Sequence, residues 1–268
     1  MNTTFGFIGC GNMGGALVEA VAKVIPAEQI LIFDQNTTKT AELSSRLGVQ
    51  ISTTEELIAA CDYIFLGVKP QVFPNLFVEI APMLAKRAQK PVLVSMAAGI
   101  SISAVEAFAE VGCGVIRIMP NTPVSVGEGM ILYASNSLVS AVQLHDFCGA
   151  LSEAGTLDNL PEEKIDAASA LSGCGPAFVY LFAEALADGA VACGLARDKA
   201  NLYAAQTLKG AAELLLTSDK HPGELKDAVC SPGGTTIVGV QALESGAFRA
   251  TAMDAVTSAY KRTLELKK

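Results

Sequence analysis

Two architectures follow one another in the amino-acid sequence: an α/β domain with a mostly parallel sheet over residues 1–160, then an all-α domain over residues 161–268. Three observations predict this. Short apolar runs alternate with helical patterns through the first half, the signature of βαβ units. A glycine-rich turn, Gly9-Cys10-Gly11-Asn12-Met13-Gly14, follows the first apolar run and opens the first helical pattern. Beyond Pro161 the strand signal all but vanishes and Ala- and Leu-rich helical texture takes over.

Strands are predicted at residues 5–9, 30–34, 63–68, 92–95 and 115–119. Four of these five are dense in Val, Ile, Leu or Phe, as strands covered on both faces are. Between them, helical patterns lie near residues 13–23, 38–47, 54–60, 71–85 and 101–109. Pro161 followed by Glu162 and Glu163 starts a helix well, because proline has no N–H to lose in the first turn and carboxylates favour the positive end of the dipole. Further helices are predicted at residues 162–171, 177–193, 197–216, 237–243 and 248–266. Between Ala167 and Ala212 only six residues are charged, so these helices are apolar most of the way round and need burial on more than one side. Helical layers from two subunits would supply it.

Composition narrows the function classes. The 268 residues are 51% apolar and only 17% charged, against about 25% charged in an ordinary domain. A net charge of −8 argues against nucleic acid or an anionic membrane as partner, since both require clustered Lys and Arg. The uncharged stretch 167–183 has seventeen residues but contains Gly173, Gly175 and Pro176, and falls short of the roughly 20 apolar residues of a spanning helix. No membrane partner is expected. The N-terminus lacks the basic region and small-residue cleavage site of a signal peptide, so a cytoplasmic protein is expected. Seven scattered cysteines without a C-x-x-C spacing fit reduced thiols, and the two histidines stand in no ligand-spaced context, so no metal is expected. No G-x-S-x-G elbow offers a serine nucleophile.

The chemistry concentrates at glycine-rich turns. In the first, Gly9 permits the tight turn, Gly11 lets backbone approach a pyrophosphate, Gly14 lets helix pack on strand, and the helix start supplies N–H donors. This is the fingerprint of a Rossmann dinucleotide-binding domain. Asp34 lies twenty residues after Gly14, where an acid bonds the ribose 2′-OH of NAD. Gln35, Asn36, Thr37, Thr38 and Lys39 follow with amides, hydroxyls and one cation that could hold a 2′-phosphate; alternatively, Asp34 and Asn36 cap the helix near Thr38. Two more loops follow strand ends, where ligands of open parallel sheets bind: Gly67-Val68-Lys69-Pro70 and Met119-Pro120-Asn121-Thr122-Pro123. Lys69 could face a phosphate or the nicotinamide ribose, and Asn121 sits in a stiff loop suited to aiming an amide; both also read as ordinary loop residues. In the helical half, Cys230-Ser231-Pro232-Gly233-Gly234-Thr235-Thr236 precedes a helical pattern, so its N–H groups and hydroxyls could cradle a carboxylate. A plain interhelical turn is the alternative.

Together with Ser172-Gly173-Cys174-Gly175-Pro176-Ala177 and His221-Pro222-Gly223, these blocks closely resemble the pyrroline-5-carboxylate reductase family, in order, from about Phe5 to Arg262. The 231–236 block is the most specific. The resemblance implies reduction of the C=N bond of 1-pyrroline-5-carboxylate to L-proline by NAD(P)H, the last step of proline biosynthesis. It implies a Rossmann domain followed by a helical dimerisation domain intertwined with its copy, assembling into decamers in some members. Carried over residue by residue, Ile8, Gly9, Cys10, Gly11, Asn12 and Met13 would bind the pyrophosphate and Asp34, Asn36 and Thr37 the adenosine end. Val68, Lys69, Pro70, Ala97, Ala98 and Asn121 would bind the nicotinamide half. Ser231, Gly233, Gly234, Thr235 and Thr236 would bind substrate, with Thr236 as the catalytic residue bonded to the ring nitrogen. Family members often carry Ser or Asn-Arg after the second strand, a commoner Ser where Cys174 stands, and in some cases Ala at Thr235. NADP(H) is therefore favoured by the resemblance and NAD(H) by Asp34. The alternatives are another dehydrogenase or imine reductase of this architecture, such as a β-hydroxyacid dehydrogenase, or a non-catalytic NAD(P)-sensing module. The dehydrogenase would carry a junction lysine, absent from residues 172–182, and the sensor would not need the 231–236 cradle.

Overall fold

The structure, a computed structural model, describes residues 3–266. Eight strands, β1 (Phe5–Ile8), β2 (Ile30–Phe33), β3 (Gln50–Ile51), β4 (Tyr63–Leu66), β5 (Val92–Ser95), β6 (Val115–Met119), β7 (Gly129–Ser135) and β8 (Gly155–Asn159), form one sheet in the order β3-β2-β1-β4-β5-β6-β7-β8. Every neighbouring pair is parallel except β6 with β7. The strands buried on both faces are the runs the sequence predicts. Side chains alternate along them, so Phe5, Phe7, Tyr63 and Phe65 enter one core layer while Ile8, Ile64 and Leu66 enter the other. Register brings Phe5 opposite Tyr63 and Phe7 opposite Phe65, with ring centroids 5.0 and 4.5 Å apart.

Six helices connect the strands: α1 (Asn12–Val21), α2 (Thr37–Leu47), α3 (Thr54–Ala60), α4 (Phe73–Lys86), α5 (Ile102–Ala109) and α6 (Ala141–Ala150). Their starts are chemically marked. Asn36 caps α2 by accepting the Thr38 N–H, and α3 and α6 open on reciprocal boxes, Thr53 with Glu56 and Ser140 with Gln143. The chain leaves β1 for β2 on one side while β4 pairs on the other, so a crevice opens above the C-terminal ends of β1 and β4, the topological switch point.

The change from mixed to purely helical structure falls at residue 160, but the compact unit does not end there. Helix α7 (Glu162–Ser172) still belongs to the sheet unit, which runs through Cys174 and also takes in the chain from Tyr260 on. The cause is Arg117, 2% exposed in the middle of β6, whose guanidinium donates to Asp166 (2.7 Å) and Glu162 (3.2 Å) on α7. The change of architecture and the division between compact units thus fall at different places, near residue 160 and at Cys174–Gly175.

The second unit, Gly175–Ala259, holds α8 (Gly175–Ala192), α9 (Arg197–Thr217), α10 (Pro222–Ala228), α11 (Thr235–Ser245) and most of α12 (Phe248–Leu266). Its buried apolar cluster among the described residues consists of Ala187, Ala200 and Ala204. Large apolar side chains are instead exposed: Leu181 at 68%, Met253 at 63%, Leu216 at 83%. One stretch, 162–192, is long and apolar enough to cross a membrane by length and composition, and 11% of its most apolar window is buried.

Candidate active site

The crevice at the switch point is a cavity of about 450 Å³ bordered by the ends of β1, β2 and β4 and the first turns of α3 and α4. Gly9 and Gly67 line it, and Gly14 packs beneath Gly9. Gly9 has φ +99°, and a Cβ there would lie 2.7 Å from the Gly67 carbonyl. A Cβ on Gly14 or on Gly67 would overlap the Gly9 carbonyl oxygen. Strand end, strand end and helix therefore meet through bare backbone, which no side chain permits. Gly11 differs: a Cβ there would meet nothing within 4 Å. The space above Gly11 is open to a ligand, as a site where backbone approaches a pyrophosphate must be.

Ile8, Gly9, Gly11, Asp34, Val68 and Lys69 line this cavity. Cys10, Gly11 and Asn12 line a second one of about 320 Å³ on the other flank of the turn, with Arg46 and Ser125; Lys39 borders both. Met13 packs against the core instead. Burial and the neighbouring Asp34 carboxylate push the Cys10 thiol up to about 12, so it is an inert wall of the turn. Pro70 begins a single 3₁₀ turn leading into α4. Ala97 is buried and Ala98 exposed beyond β5, and neither borders the two cavities. Thr54, Asn75 and Glu79 also line the main cavity and were not anticipated; Asn75 and Glu79 are one turn apart on α4, a spacing visible once that helix is placed.

Two of the predicted site residues also bond within the chain. Asp34, which lines the main cavity, accepts the Cys10 N–H at 2.7 Å with one carboxylate oxygen and the Asn36 N–H at 2.8 Å with the other. It ties the glycine-rich turn to the start of α2, and Asn36 and Thr37 are exposed, with Asn36 as helix cap. Asn121, 9% exposed, donates to the Ser172 carbonyl (2.9 Å) and accepts the Met130 N–H (2.8 Å). Its amide is committed to protein partners that hold α7 and β7 against the end of β6.

In the second unit, Gly233 adopts φ +70° and Gly234 donates to the Ser231 carbonyl at 3.0 Å, so the chain turns sharply into α11. Gly234 caps α11 without any side-chain bond, leaving the first N–H groups uncapped. Ser231, Gly233, Thr235 and Thr236 are exposed around that start and Gly234 is half-buried. The preceding helix α10 opens on a box in which the His221 ring nitrogen accepts the Gly223 N–H and Glu224 accepts the His221 N–H. Among the described residues, no group of three or more His, Cys, Asp or Glu side chains is placed to hold a metal ion.

Residues 162–266 match the family model described as pyrroline-5-carboxylate reductase dimerisation, and residues 4–99 match the one described as NADP oxidoreductase, coenzyme F420-dependent. A pyrroline-5-carboxylate reductase 3 of Danio rerio is 41% identical over 97% of this chain and 90% of its own length. The chain belongs to the pyrroline-5-carboxylate reductase family. The pyrroline-5-carboxylate reductase of Pisum sativum is 38% identical over 98% of this chain and 96% of its own. A solved pyrroline carboxylate reductase of Plasmodium falciparum with NADP bound superposes with a TM-score of 0.86 at 34% identity, covering 100% of this chain and 99% of that one. The matched dimerisation region of this pyrroline-5-carboxylate reductase family member thus begins at α7, thirteen residues before the second compact unit.

Proposed function

We propose that this chain reduces 1-pyrroline-5-carboxylate to L-proline with NAD(P)H, as a homodimer in the cytoplasm. The single observation that carries the reading is the family likeness across essentially the whole chain, at 41% identity to a reductase of that name. A likeness confined to residues 4–99 would have left a hydroxyacid dehydrogenase or a nucleotide sensor equally supported.

A bound dinucleotide would supply the hydride for the imine carbon. The residues present fit it: the open space above Gly11, the uncapped first turn of α1 and the cavity ending at Asp34 suit a pyrophosphate and ribose. Ile8 to Met13 hold the phosphates, and Val68, Lys69 and Pro70, with Ala97 and Ala98, border the nicotinamide half. Asn121 positions its loop through Ser172 and Met130. At the start of α11, Ser231, Gly233, Gly234 and Thr235 offer N–H and hydroxyl donors to the substrate carboxylate. Thr236 accepts, with its hydroxyl oxygen, the N–H of the protonated ring nitrogen, which keeps that proton as the C=N bond becomes C–N. A cyclic imine that binds protonated needs no strong acid, so orientation and water exclusion do most of the work.

The exposed leucines and the three-alanine core of the second unit support self-association, since that unit has little interior of its own. Steady-state oxidation of NADPH and NADH by pyrroline-5-carboxylate tests the activity; no oxidation of either overturns it. Thr236→Ala is expected to lower kcat at least about tenfold, the loss of one hydrogen bond made in the transition state, with an unchanged circular-dichroism spectrum.

A further inference from the structure

Resting on the reductase reading, we propose that Glu162 is a positioning residue for hydride transfer: from the first turn of α7 its carboxylate anchors the loop after β5, which carries Ala97 and Ala98 to the nicotinamide half. One oxygen, Oε1, accepts the Ile102 N–H at 2.8 Å and an Arg117 Nη1 N–H at 3.2 Å. Ile102 is the first residue of α5, so this N–H has no carbonyl to bond within its own helix, and a carboxylate suits the positive end of that helix. The loop itself, residues 96–101, is weakly tied. The Ala97 N–H reaches the Ser95 hydroxyl at 3.5 Å and the Ile100 N–H the Ala97 carbonyl at 3.3 Å, around Gly99 at φ +78°. The contact from Glu162 is shorter than either.

The charges around Arg117 separate this role from that of holding the fold. Its shorter partner is Asp166, at 2.7 Å with a side chain 4% exposed, whereas the Glu162 side chain is 29% exposed. Asp166 stands one turn along α7 from Glu162, so loss of Glu162 leaves the buried guanidinium paired and α7 attached to β6. What it removes is the bridge from α7 to the start of α5. The last turn of α7 makes a matching tie, where the Ser172 carbonyl accepts an Asn121 amide N–H at 2.9 Å. Helix α7 thus holds the loop after β5 at one end and the loop after β6 at the other, both at strand ends where ligands of such sheets bind. A shift of about 1 Å in such a loop costs far more in rate than in stability, because hydride transfer requires the reacting carbons close and aligned.

Steady-state kinetics of Glu162→Ala and Glu162→Gln, set beside calorimetric binding of ADP, test the assignment. Glu162→Ala is expected to lower kcat/KM for pyrroline-5-carboxylate at saturating NADPH at least about tenfold. ADP, which reaches only the adenosine half, is expected to bind within about twofold of the wild type, with an unchanged circular-dichroism spectrum. Glu162→Gln is expected to recover most of the rate, since its side-chain oxygen still accepts the Ile102 N–H. Wild-type kinetics in Glu162→Ala, Glu162→Gln as slow as Glu162→Ala, or a fall in ADP affinity or helical content matching the fall in rate overturns the assignment while leaving the reductase reading in place. A wild-type protein that oxidises neither NADPH nor NADH with pyrroline-5-carboxylate removes that reading and the Glu162 assignment together.

Discussion

Gly9, Gly14 and Gly67 fill one volume with backbone, while Gly11 faces empty space, and the difference separates stability from binding. Gly14→Ala is expected to cost about 1–3 kcal/mol of stability in urea unfolding, because the new methyl has only rigid backbone to push against. Gly11→Ala is expected to unfold like the wild type and yet bind dinucleotide at least about tenfold more weakly, read by fluorescence titration, since its methyl enters the ligand's space. Normal binding by Gly11→Ala would show that the turn does not approach the phosphates. The cysteines carry a pH dependence. Burial lifts the thiols of Cys10 and Cys61 from 9.0 to about 12 and that of Cys113 to about 11. The unfolded chain therefore releases these protons first, and the stability they contribute, complete below pH 9, is lost as pH rises toward 11–12. Urea midpoints measured between pH 8 and about 10.5 should fall, and should fall less in Cys61→Ala. At this scale the glycine pattern was legible, because close approach leaves a mark in the sequence. The hydrogen bonds that Asp34 and Asn121 accept were not, since each depends on an N–H delivered by a segment distant along the chain or bent into place by its own turn.

Among the elements, the strands buried on both faces announced themselves as apolar runs, and the helices as periodic patterns with caps. The missed ones share a physical cause. Strand β3 is two exposed residues and β8 is Gly-Thr-Leu-Asp-Asn, both at the sheet edges, where no face is fully buried and hydrophobic patterning fades. Strand β7 alternates buried with half-buried positions because it runs antiparallel beside that edge. Helix α10 has only seven residues and α6 buries only Phe147 and Ala150, so both are announced mainly by their caps. The attachment of α7 to the sheet has no such signal: Arg117 reads as an interruption of an apolar run, yet its ion pairs fasten α7 to the sheet. Arg117→Met is expected to destabilise by about 3–5 kcal/mol, because Asp166, 3% exposed, loses its cation while remaining buried. Urea unfolding within about 1 kcal/mol of the wild type would mean that α7 is held by apolar contacts alone.

Over the whole molecule the apolar excess has an address. Fifty-one per cent apolar residues with 17% charged is more than one subunit's interior accounts for, and the surplus lies on α8, α9, α11 and α12. If that surface is the dimer interface, folding of the second unit and association are one event. The unfolding temperature should then rise with protein concentration, by the equivalent of about 1.4 kcal/mol per dimer for each tenfold. Scanning calorimetry between about 1 and 100 μM checks it, and a midpoint independent of concentration would contradict coupled folding. The three-alanine cluster also sets an order of events during synthesis. The ribosome delivers the sheet first, with its two core layers in hand, and then a helical segment that has almost nothing of its own to close around. If its apolar surface is the dimer interface, each newly made copy would wait, leucines bare, for another copy, and its exposure to chaperones and to aggregation would be set by how fast the cell makes the chain.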